Sequence, residues 1–241
     1  MRVRDKTFKS IPALVSKLLI DLRDCEGPVW FRGQANKEWK LLPSIARVEN
    51  KLSEMTLIKR FKQNAMMLVS PRPNNSIEWL FIMRHHGVPT RLLDWAESAL
   101  MAAYFAVYEK PEEDGCLWAL LPTKLNKLAK MDDIPSFEEN MEIMSYDPDS
   151  FSRETISTLL PLAIIAPRNN PRMQAQLSVY TINHRDNTPI EELGDRKHIW
   201  RYIVTKDCKN AMMKELELIG IGKFQLFPEL QSIGDILKGE C

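Results

Sequence analysis

Cysteine is scarce in this sequence, and neither positive nor negative charge is in excess. Each of these two features argues against a class of protein. The four cysteines lie at positions 25, 116, 208 and 241, with no pair at metal-ligand spacing, and they are too few for a disulfide scaffold. A reduced, intracellular chain is therefore expected. The 33 Lys and Arg residues against 32 Asp and Glu residues give a net charge of +1. That balance argues against a broad basic surface for duplex nucleic acid or for an anionic membrane, although a local basic cleft is compatible with it.

Long apolar runs are also absent. The longest, residues 159–167, falls well below the roughly 20 residues that a membrane-spanning helix needs. The basic N-terminus leads into an amphipathic stretch that Lys17 and Asp21 interrupt, so it is a poor signal peptide. No internal repeat or low-complexity tract is visible. We therefore expect a soluble, cytoplasmic protein with no membrane partner, folded as a single domain over residues 1–241.

The hydrophobic pattern of the N-terminal half predicts helices. Apolar residues recur at helical spacing after Ser10, again over residues 52–69, and again over residues 74–87 with Ser76 as the expected cap. A further helix is expected over residues 95–110, because Asp94 and Glu97 resemble a capping box ahead of a small, apolar stretch. The residues 28–33 read as a short strand that ends at Gly33.

The C-terminal half predicts mainly strands. They are expected over residues 115–122, 162–167, 176–182 and 198–205, followed by a helix over 210–222, then a short strand and a last helical turn from residue 223. Residues 124–158 are polar and contain prolines, which favours an irregular insertion. The pattern predicts an α+β fold, with N-terminal helices packed on a mixed, mainly antiparallel sheet and a C-terminal helix.

The first polar cluster is FRGQ, residues 31–34. Arg32 ends a predicted strand beside Gly33, whose missing side chain lets the backbone approach another group closely or turn sharply. Its guanidinium offers a planar fork of donors for phosphate or carboxylate. Gln34 adds an amide at the same strand end. The alternative is an arginine paired with a buried aspartate, which would be structural.

The second cluster is HHGVPTRLLDW, residues 85–95. A helix that stops at Gly87, turns at Pro89 and restarts at Asp94 accounts for those three residues. It does not account for Thr90, Arg91 or the second histidine. Adjacent residues on a helix face different ways, so at most one of His85 and His86 faces a site readily, and we assign that role to His86. A histidine at a helix C-terminus is also explained by the helix dipole alone.

The third cluster is a polar strand face. In a strand that starts near Gln174, alternation places Gln174, Gln176, Ser178 and Tyr180 on one side. Such a face lines a cleft or, as for an edge strand, faces water.

Five stretches together resemble the FRG domain family. They are VWFRGQ, KEWKLLPSIAR, RHHGVPTRLLDWAESALMAAYFAV, NNPRMQAQLSVYTI and RYIVTKDCKNAMMKELELIGIGKFQLFPEL, and the resemblance covers most of the chain. The family is named for its Phe-Arg-Gly triplet, here Phe31, Arg32 and Gly33. The chain departs from the family's Gln-x-Gly-x-Phe stretch at residues 176–180, where Ser178 replaces the glycine. The resemblance implies a largely bacterial, phage-associated domain of poorly defined activity, with residues 124–158 as an insertion in it.

The order of these motifs is similar to that of ADP-ribosyltransferases, which use an early strand Arg or His, a middle Ser, Thr or Tyr element, and a late Glu or Gln. The analogy implies that Arg32 grips a phosphate or ribose of NAD, that Thr90 or Tyr104 shapes a nicotinamide pocket, and that Gln176 takes the late position. Tyr104 is equally explained as a core residue of a buried helix. No Asp or Glu occurs between Thr155 and Arg185, so the carboxylate that stabilises positive charge at ribose would have to be Asp94 or Glu97.

Three functions and one structural alternative follow from these residues. The first is an enzyme on a nucleotide-type substrate, with NAD as the leading candidate and with no firmly implied cofactor. The second is a recognition module for a nucleotide, a nucleic acid or a protein, and the third, ranked last, is a metal-dependent hydrolase or nuclease. In the structural alternative, Arg32, Arg91 and Asp94 form an ion-pair lattice. The predicted site has Arg32, His86, Asp94 and Gln176 as catalytic residues, Gln34, Thr90, Arg91, Tyr104 and Ser178 as substrate-binding residues, and no metal.

Overall fold

The computed structural model describes residues 5–49, 52–136, 141–150, 158–185 and 187–240. Seven strands form one sheet in the order β1-β7-β4-β2-β3-β6-β5, and all neighbours are antiparallel except β1 and β7. Helices pack on this sheet, so the predicted α+β class, with a mixed and mainly antiparallel sheet, is confirmed. The strands are β1 Lys6–Phe8, β2 Trp30–Gln34, β3 Leu92–Ala96, β4 Gly115–Leu120, β5 Leu162–Ile164, β6 Ser178–Ile182 and β7 Ile199–Val204.

The helices begin where the sequence supplies capping side chains. Ser10, Ser53, Asn75, Ser98 and Asn170 each accept a hydrogen bond from a backbone N–H in the first turn of the helix that follows. The helices are α1 Ile11–Asp21, α2 Ser44–Arg47, α3 Glu54–Ala65, α4 Ser76–His85, α5 Ala99–Val107, α6 Pro122–Leu128, α7 Pro171–Ala175, α8 Lys206–Leu218, α9 Lys223–Leu226 and α10 Leu230–Glu240. Short 3-10 helices cover Met141–Tyr146 and Ile190–Glu192. No helix among the described residues combines the length and apolarity that a membrane crossing requires.

Two helical layers divide the sheet between them. α1, α5 and α8 pack with β4 and β7 in one apolar cluster. α3 and α4 pack with β3, β5 and β6 in another. In the middle of the sheet, β2 and β3 are neighbours.

The sheet is open at that middle position. β2 pairs with β4 at five positions and β3 pairs with β6 at five, but β2 and β3 share a single pair, Phe31 with Ala96. Beyond that pair the two strands diverge. At such a gap the backbone N–H and C=O groups along the strand edges lack partners on the neighbouring strand, so other groups must form their hydrogen bonds. This gap is the floor of the cleft described below.

Several predicted boundaries were wrong. Asp94 does not cap a helix but lies in the middle of β3, and α5 begins at Ala99 with Ser98 as its cap. The cap of α4 is Asn75 rather than Ser76, while Gly87 has the expected positive φ of 76°. The segment around Gln174 is the short helix α7, so the polar strand face begins only at Ser178.

The two remaining segments also differ from the prediction. The short strand expected after residue 222 is helix α9, followed by α10. The expected irregular insertion at 124–158 contains most of α6 and the 3-10 helix Met141–Tyr146, and its residues 137–140 and 151–157 lie outside the described residues.

Candidate functional site

A cleft of about 220 Å³ lies over the gap between β2 and β3. The end of α4 contributes Arg84 and His85, α5 contributes Phe105, and the segment of α7 contributes Arg172 and Gln176. Strands β2, β3 and β6 supply its floor. The cleft therefore draws its lining from all three of the polar clusters found in the sequence.

Gly33 is explained by packing rather than by a turn. A Cβ atom at this position would lie 1.8 Å from the carbonyl oxygen of Ala102 and 2.6 Å from the nitrogen of Ala106. Helix α5 thus crosses β2 with its backbone almost in contact, which the alanines of α5 also allow. Because α5 lies this close to β2, its next turn, with Phe105, forms a wall of the cleft beside Arg32.

Arg32 spans the gap in the sheet. Its Nη1 donates a hydrogen bond of 2.6 Å to the main-chain oxygen of Asp94 and lies 3.8 Å from the Asp94 carboxylate. The Nε–H is buried and, within the described residues, has no hydrogen-bond partner. A buried N–H without a partner destabilises a fold by about 1–3 kcal/mol, so such an arginine needs an explanation beyond stability. Burial lowers the pKa of Arg32 to about 10, a value at which the guanidinium is still charged at neutral pH.

Asp94 is the carboxylate at the centre of a group of arginines. Its Oδ2 accepts hydrogen bonds from Arg84 Nε at 2.7 Å and from Arg84 Nη2. Burial tends to raise the Asp94 pKa, but the charges of Arg84 and Arg32 outweigh it and hold this pKa below its usual value of 3.8. Arg47, which is exposed, lies close enough for its charge to lower the pKa of Arg32. The charged side chains that line the cleft are three arginines, Arg32, Arg84 and Arg172, and two carboxylates, Asp94 and Glu109, so positive charge is in excess by one.

Two predicted substrate-binding residues line the cleft with their polar atoms already engaged. The Gln34 side chain is buried and its Oε1 accepts a 2.8 Å hydrogen bond from Trp118 Nε1, so it orders the strand pair β2–β4. Ser178 is also buried, and its side chain is hydrogen-bonded to that of Tyr180. Burial and the nearby Asp94 raise the pKa of Tyr180, which keeps its hydroxyl protonated.

Gln176 lines the cleft from the end of α7 rather than from a strand. Its Nε2 donates a 3.0 Å hydrogen bond to the main-chain oxygen of Leu226, which ties α7 to α9. The side-chain oxygen has no hydrogen bond from another described residue, so the amide can still accept one from a ligand.

Four predicted site residues do not line the cleft. His86 is exposed and its ring lies 6.4 Å from that of Phe61, whereas the half-buried His85 lines the cleft. Burial, then the neighbouring His86 and the charge of Arg172, lower the pKa of His85. Thr90 is fully buried, with its backbone N–H donating to Ser44 Oγ at 3.1 Å, so it joins its loop to α2.

Arg91 and Tyr104 have structural surroundings. Arg91 donates from Nε to Glu54 Oε2 at 2.7 Å, both side chains are about nine-tenths buried, and the pair fastens α3 to the start of β3. Tyr104 is 1% exposed in the core beneath α5 and stacks on Tyr108 at 4.9 Å. The structural alternative considered above therefore holds for Arg91, but with Glu54 as the partner rather than Asp94.

The predicted site did not include Arg84, Arg172 or Tyr180, and it chose His86 instead of His85, yet these four omitted residues line the cleft. A signal for Arg84 was present, because it continues the buried stripe of α4 at the spacing of Ile77, Leu80 and Phe81. An arginine on an apolar stripe requires a buried or partly buried partner, which is Asp94. For Arg172 no comparable local pattern exists.

The cleft can bind an anion beside a ring. Arg32 and Arg84 present guanidinium groups, and Phe105, Tyr108 and Trp39 present aromatic side chains. The described residues contain no group of three or more His, Cys, Asp or Glu side chains that could hold a metal ion.

The FRG domain family model matches residues 27–115 of this chain. The matched segment runs from just before β2 to the first residue of β4, and it contains Arg32, Arg84 and Asp94. No curated protein and no solved structure matches the chain.

Proposed function

We propose that this chain, which carries an FRG domain over residues 27–115, is a nucleotide-directed enzyme with NAD as its leading candidate substrate. The reaction class is ADP-ribosyl transfer or NAD hydrolysis. A role in bacterial or phage conflict, and a cytoplasmic location, belong to the same proposal. The observation that carries it is the charged Arg32 guanidinium at the floor of an open cleft, with its Nε–H unpartnered in the described chain.

The phosphate groups of the substrate fit the arginine group. Arg32 and Arg84 are planar donors that suit phosphate oxygens. With Arg172 they give the cleft lining three arginines against the two carboxylates Asp94 and Glu109. A phosphate in the cleft would therefore meet a net positive charge in a partly desolvated position, where electrostatic attraction is stronger than in water.

The ring and ribose of the substrate fit the other walls. Phe105 and Tyr108 provide flat apolar surfaces for a base or for nicotinamide. Cleavage of the bond between nicotinamide and ribose leaves positive charge on the sugar, and a carboxylate nearby lowers that barrier. Asp94 is the candidate, because Oδ1 accepts no hydrogen bond from another described residue while Oδ2 is held by Arg84. In this step nicotinamide leaves as a neutral molecule with the bonding electrons, and water or an acceptor group forms a bond to the sugar carbon and loses one proton to solvent.

The direct test is release of free nicotinamide from NAD by the purified protein, followed by chromatography. We expect turnover by the wild type and loss of turnover in Asp94→Asn. Asp132→Asn, at an exposed position, is the matched control and should be as active as the wild type. A folded wild-type protein that releases no nicotinamide contradicts the enzymatic proposal.

A second function, recognition without chemistry, is favoured by the ion pair of Asp94. A carboxylate held between Arg84 and Arg32 has less charge to offer a developing cation than a free one. The same cleft would then bind a nucleotide, a nucleic-acid end or a protein group without turning it over. Saturable binding of ADP-ribose together with no nicotinamide release identifies this second function.

A further inference from the structure

Arg172 lines the cleft, but the sequence did not predict it as a site residue and it lies outside the segment that the family model matches. It lies in α7, outside residues 27–115, and lines the cleft on a different wall from Arg32 and Arg84. Its charge lowers the pKa of His85, which belongs to α4. Because Arg172 lines the cleft, its charge is within reach of a ligand bound there.

The C-terminal segment contacts Arg172 through Phe227 and holds its guanidinium in position. Its guanidinium lies 4.6 Å from the centre of the Phe227 ring, a cation–π contact, and the same ring meets Phe105 edge-on at 5.9 Å. Gln176, one turn further along, is tied to Leu226. Phe227 thus contacts two walls of the cleft, through Phe105 of α5 and through Arg172 of α7.

The charge of Arg172 is only weakly compensated. Its nearest carboxylate is Glu229, at 3.9 Å from Nη1, and both side chains are partly exposed. An ion pair of this length in water contributes about 0–1 kcal/mol, so it can exchange for a ligand anion. Arg84, by contrast, is bound to Asp94 through two of its nitrogens.

We infer that Arg172, held by Phe227, forms a second anion subsite, and that the natural ligand is a nucleotide with at least two phosphates. This rests on the proposed function, because it assigns the first phosphate to Arg32 and Arg84. Arg172 is a ligand-binding residue in this inference, and Phe227 is a positioning residue that acts through it.

The test is calorimetric titration of adenosine, AMP and ADP into the wild type and five variants. The wild type should bind ADP about tenfold more tightly than AMP, since a hydrogen-bonded charge pair contributes on that scale. Arg172→Gln should bind AMP as the wild type does but lose the preference for ADP. Arg172→Lys keeps the charge and should keep part of the preference. Glu229→Gln removes the competing carboxylate and should strengthen ADP binding, an effect that a merely structural arginine would not produce.

The positioning role of Phe227 is tested by the two variants at that residue. Phe227→Leu should reduce the preference for ADP, and Phe227→Tyr, which retains the ring, should restore it. Melting temperatures of all variants establish that they are folded. Equal binding of AMP and ADP by the wild type, or equal weakening of both in Arg172→Gln, overturns this inference and leaves the proposed function standing. Failure of every nucleotide to bind the wild type overturns both.

Discussion

Arg32 Nη1 donates its hydrogen bond to the main-chain oxygen of Asp94, so a side chain of β2 bridges to the backbone of β3 where the sheet no longer does. Where two strands diverge, the backbone N–H and C=O groups at their edges lose their partners on the neighbouring strand. Here the Arg32 guanidinium forms a hydrogen bond with one of these groups. The bridge joins the Phe-Arg-Gly segment to the HHGVPTRLLDW segment. It does so at the floor of a cleft rather than inside a dry core, because Asp94 keeps about a third of its side chain exposed.

The two arginines singled out in the sequence should differ sharply in their effect on stability. Glu54→Gln removes the buried carboxylate that accepts hydrogen bonds from the Arg91 guanidinium and should lower the free energy of unfolding by about 3–5 kcal/mol. Arg32→Gln removes a guanidinium that is already incompletely bonded and should change that free energy by about 1 kcal/mol or less. Chemical denaturation of both variants checks this. Equal losses of stability would mean that Arg32 is as structural as Arg91.

Gly33 should tolerate no side chain. Gly33→Ala places a Cβ atom against the backbone of α5, which cannot move without disturbing the central core, so we expect a loss of about 3 kcal/mol or more. Gly234→Ala is the matched control, since an added Cβ there meets open space within α10 and should stabilise by up to about 1 kcal/mol. Thermal melts of the two variants decide between these expectations. A Gly33→Ala protein that melts like the wild type contradicts the close approach of α5 to β2.

The ion pair of Asp94 should make stability depend on acid pH. The folded-state pKa of Asp94 lies below 3.8, so its contribution is present above 3.8 and is lost as pH falls through the folded-state pKa. Asp94→Asn should therefore be less stable than the wild type at pH 7, and the difference should shrink as the pH falls below 3.8. Unfolding free energies measured across this range test the sign. A difference that does not change with pH would show that the Asp94 charge is not stabilised in the fold.

A second pH dependence should come from His184, away from the cleft. Burial and the charges of Arg91 and Arg185 lower its pKa from 6.5 to about 4, and its Nδ1 accepts a hydrogen bond from the backbone of Leu159. The unfolded chain binds a proton between these two pH values while the folded chain does not. Stability should therefore fall as pH drops from 6.5 to about 4, by up to about 1.4 kcal/mol per pH unit. His184→Asn should flatten this window, and an unchanged slope in that variant would contradict the assignment.

The sequence predicted the fold class because most helices and strands have a clear period and a cap. It failed at Asp94, where an Asp-x-x-Glu spacing imitates a capping box although the stretch is the strand β3, paired with β6 at five positions. Ser98, directly before the apolar stretch, was the true cap. Likewise Asn170 and Pro171 are a helix start, but a helix of five residues is too short to show a period. Whether a stretch with such a local pattern forms a helix or a strand depends on long-range strand pairing.

The candidate site was predictable only in part, and for a physical reason. Arg32 and Asp94 stand in motifs rich in polar residues, and the structure brings both to one cleft. Thr90 and Arg91 stand in the same motif but serve the packing of α2 and α3. A motif shows which polar residues need partners, whereas the partner, Glu54 or a ligand, depends on the tertiary structure. Arg172 lines the cleft with its guanidinium over the ring of Phe227, a residue far along the chain that no local pattern links to it.

The central claim is that Arg32 holds an anionic group of a nucleotide in this cleft, and binding of ADP-ribose, measured by calorimetry at two salt concentrations, tests it most directly. We expect saturable, salt-sensitive binding by the wild type, at least about tenfold weaker binding by Arg32→Gln, and unchanged binding by Arg23→Gln, an exposed arginine that lies outside the cleft lining. Wild-type protein that binds no ADP-ribose, or Arg32→Gln that binds it as tightly as the wild type, would contradict the claim.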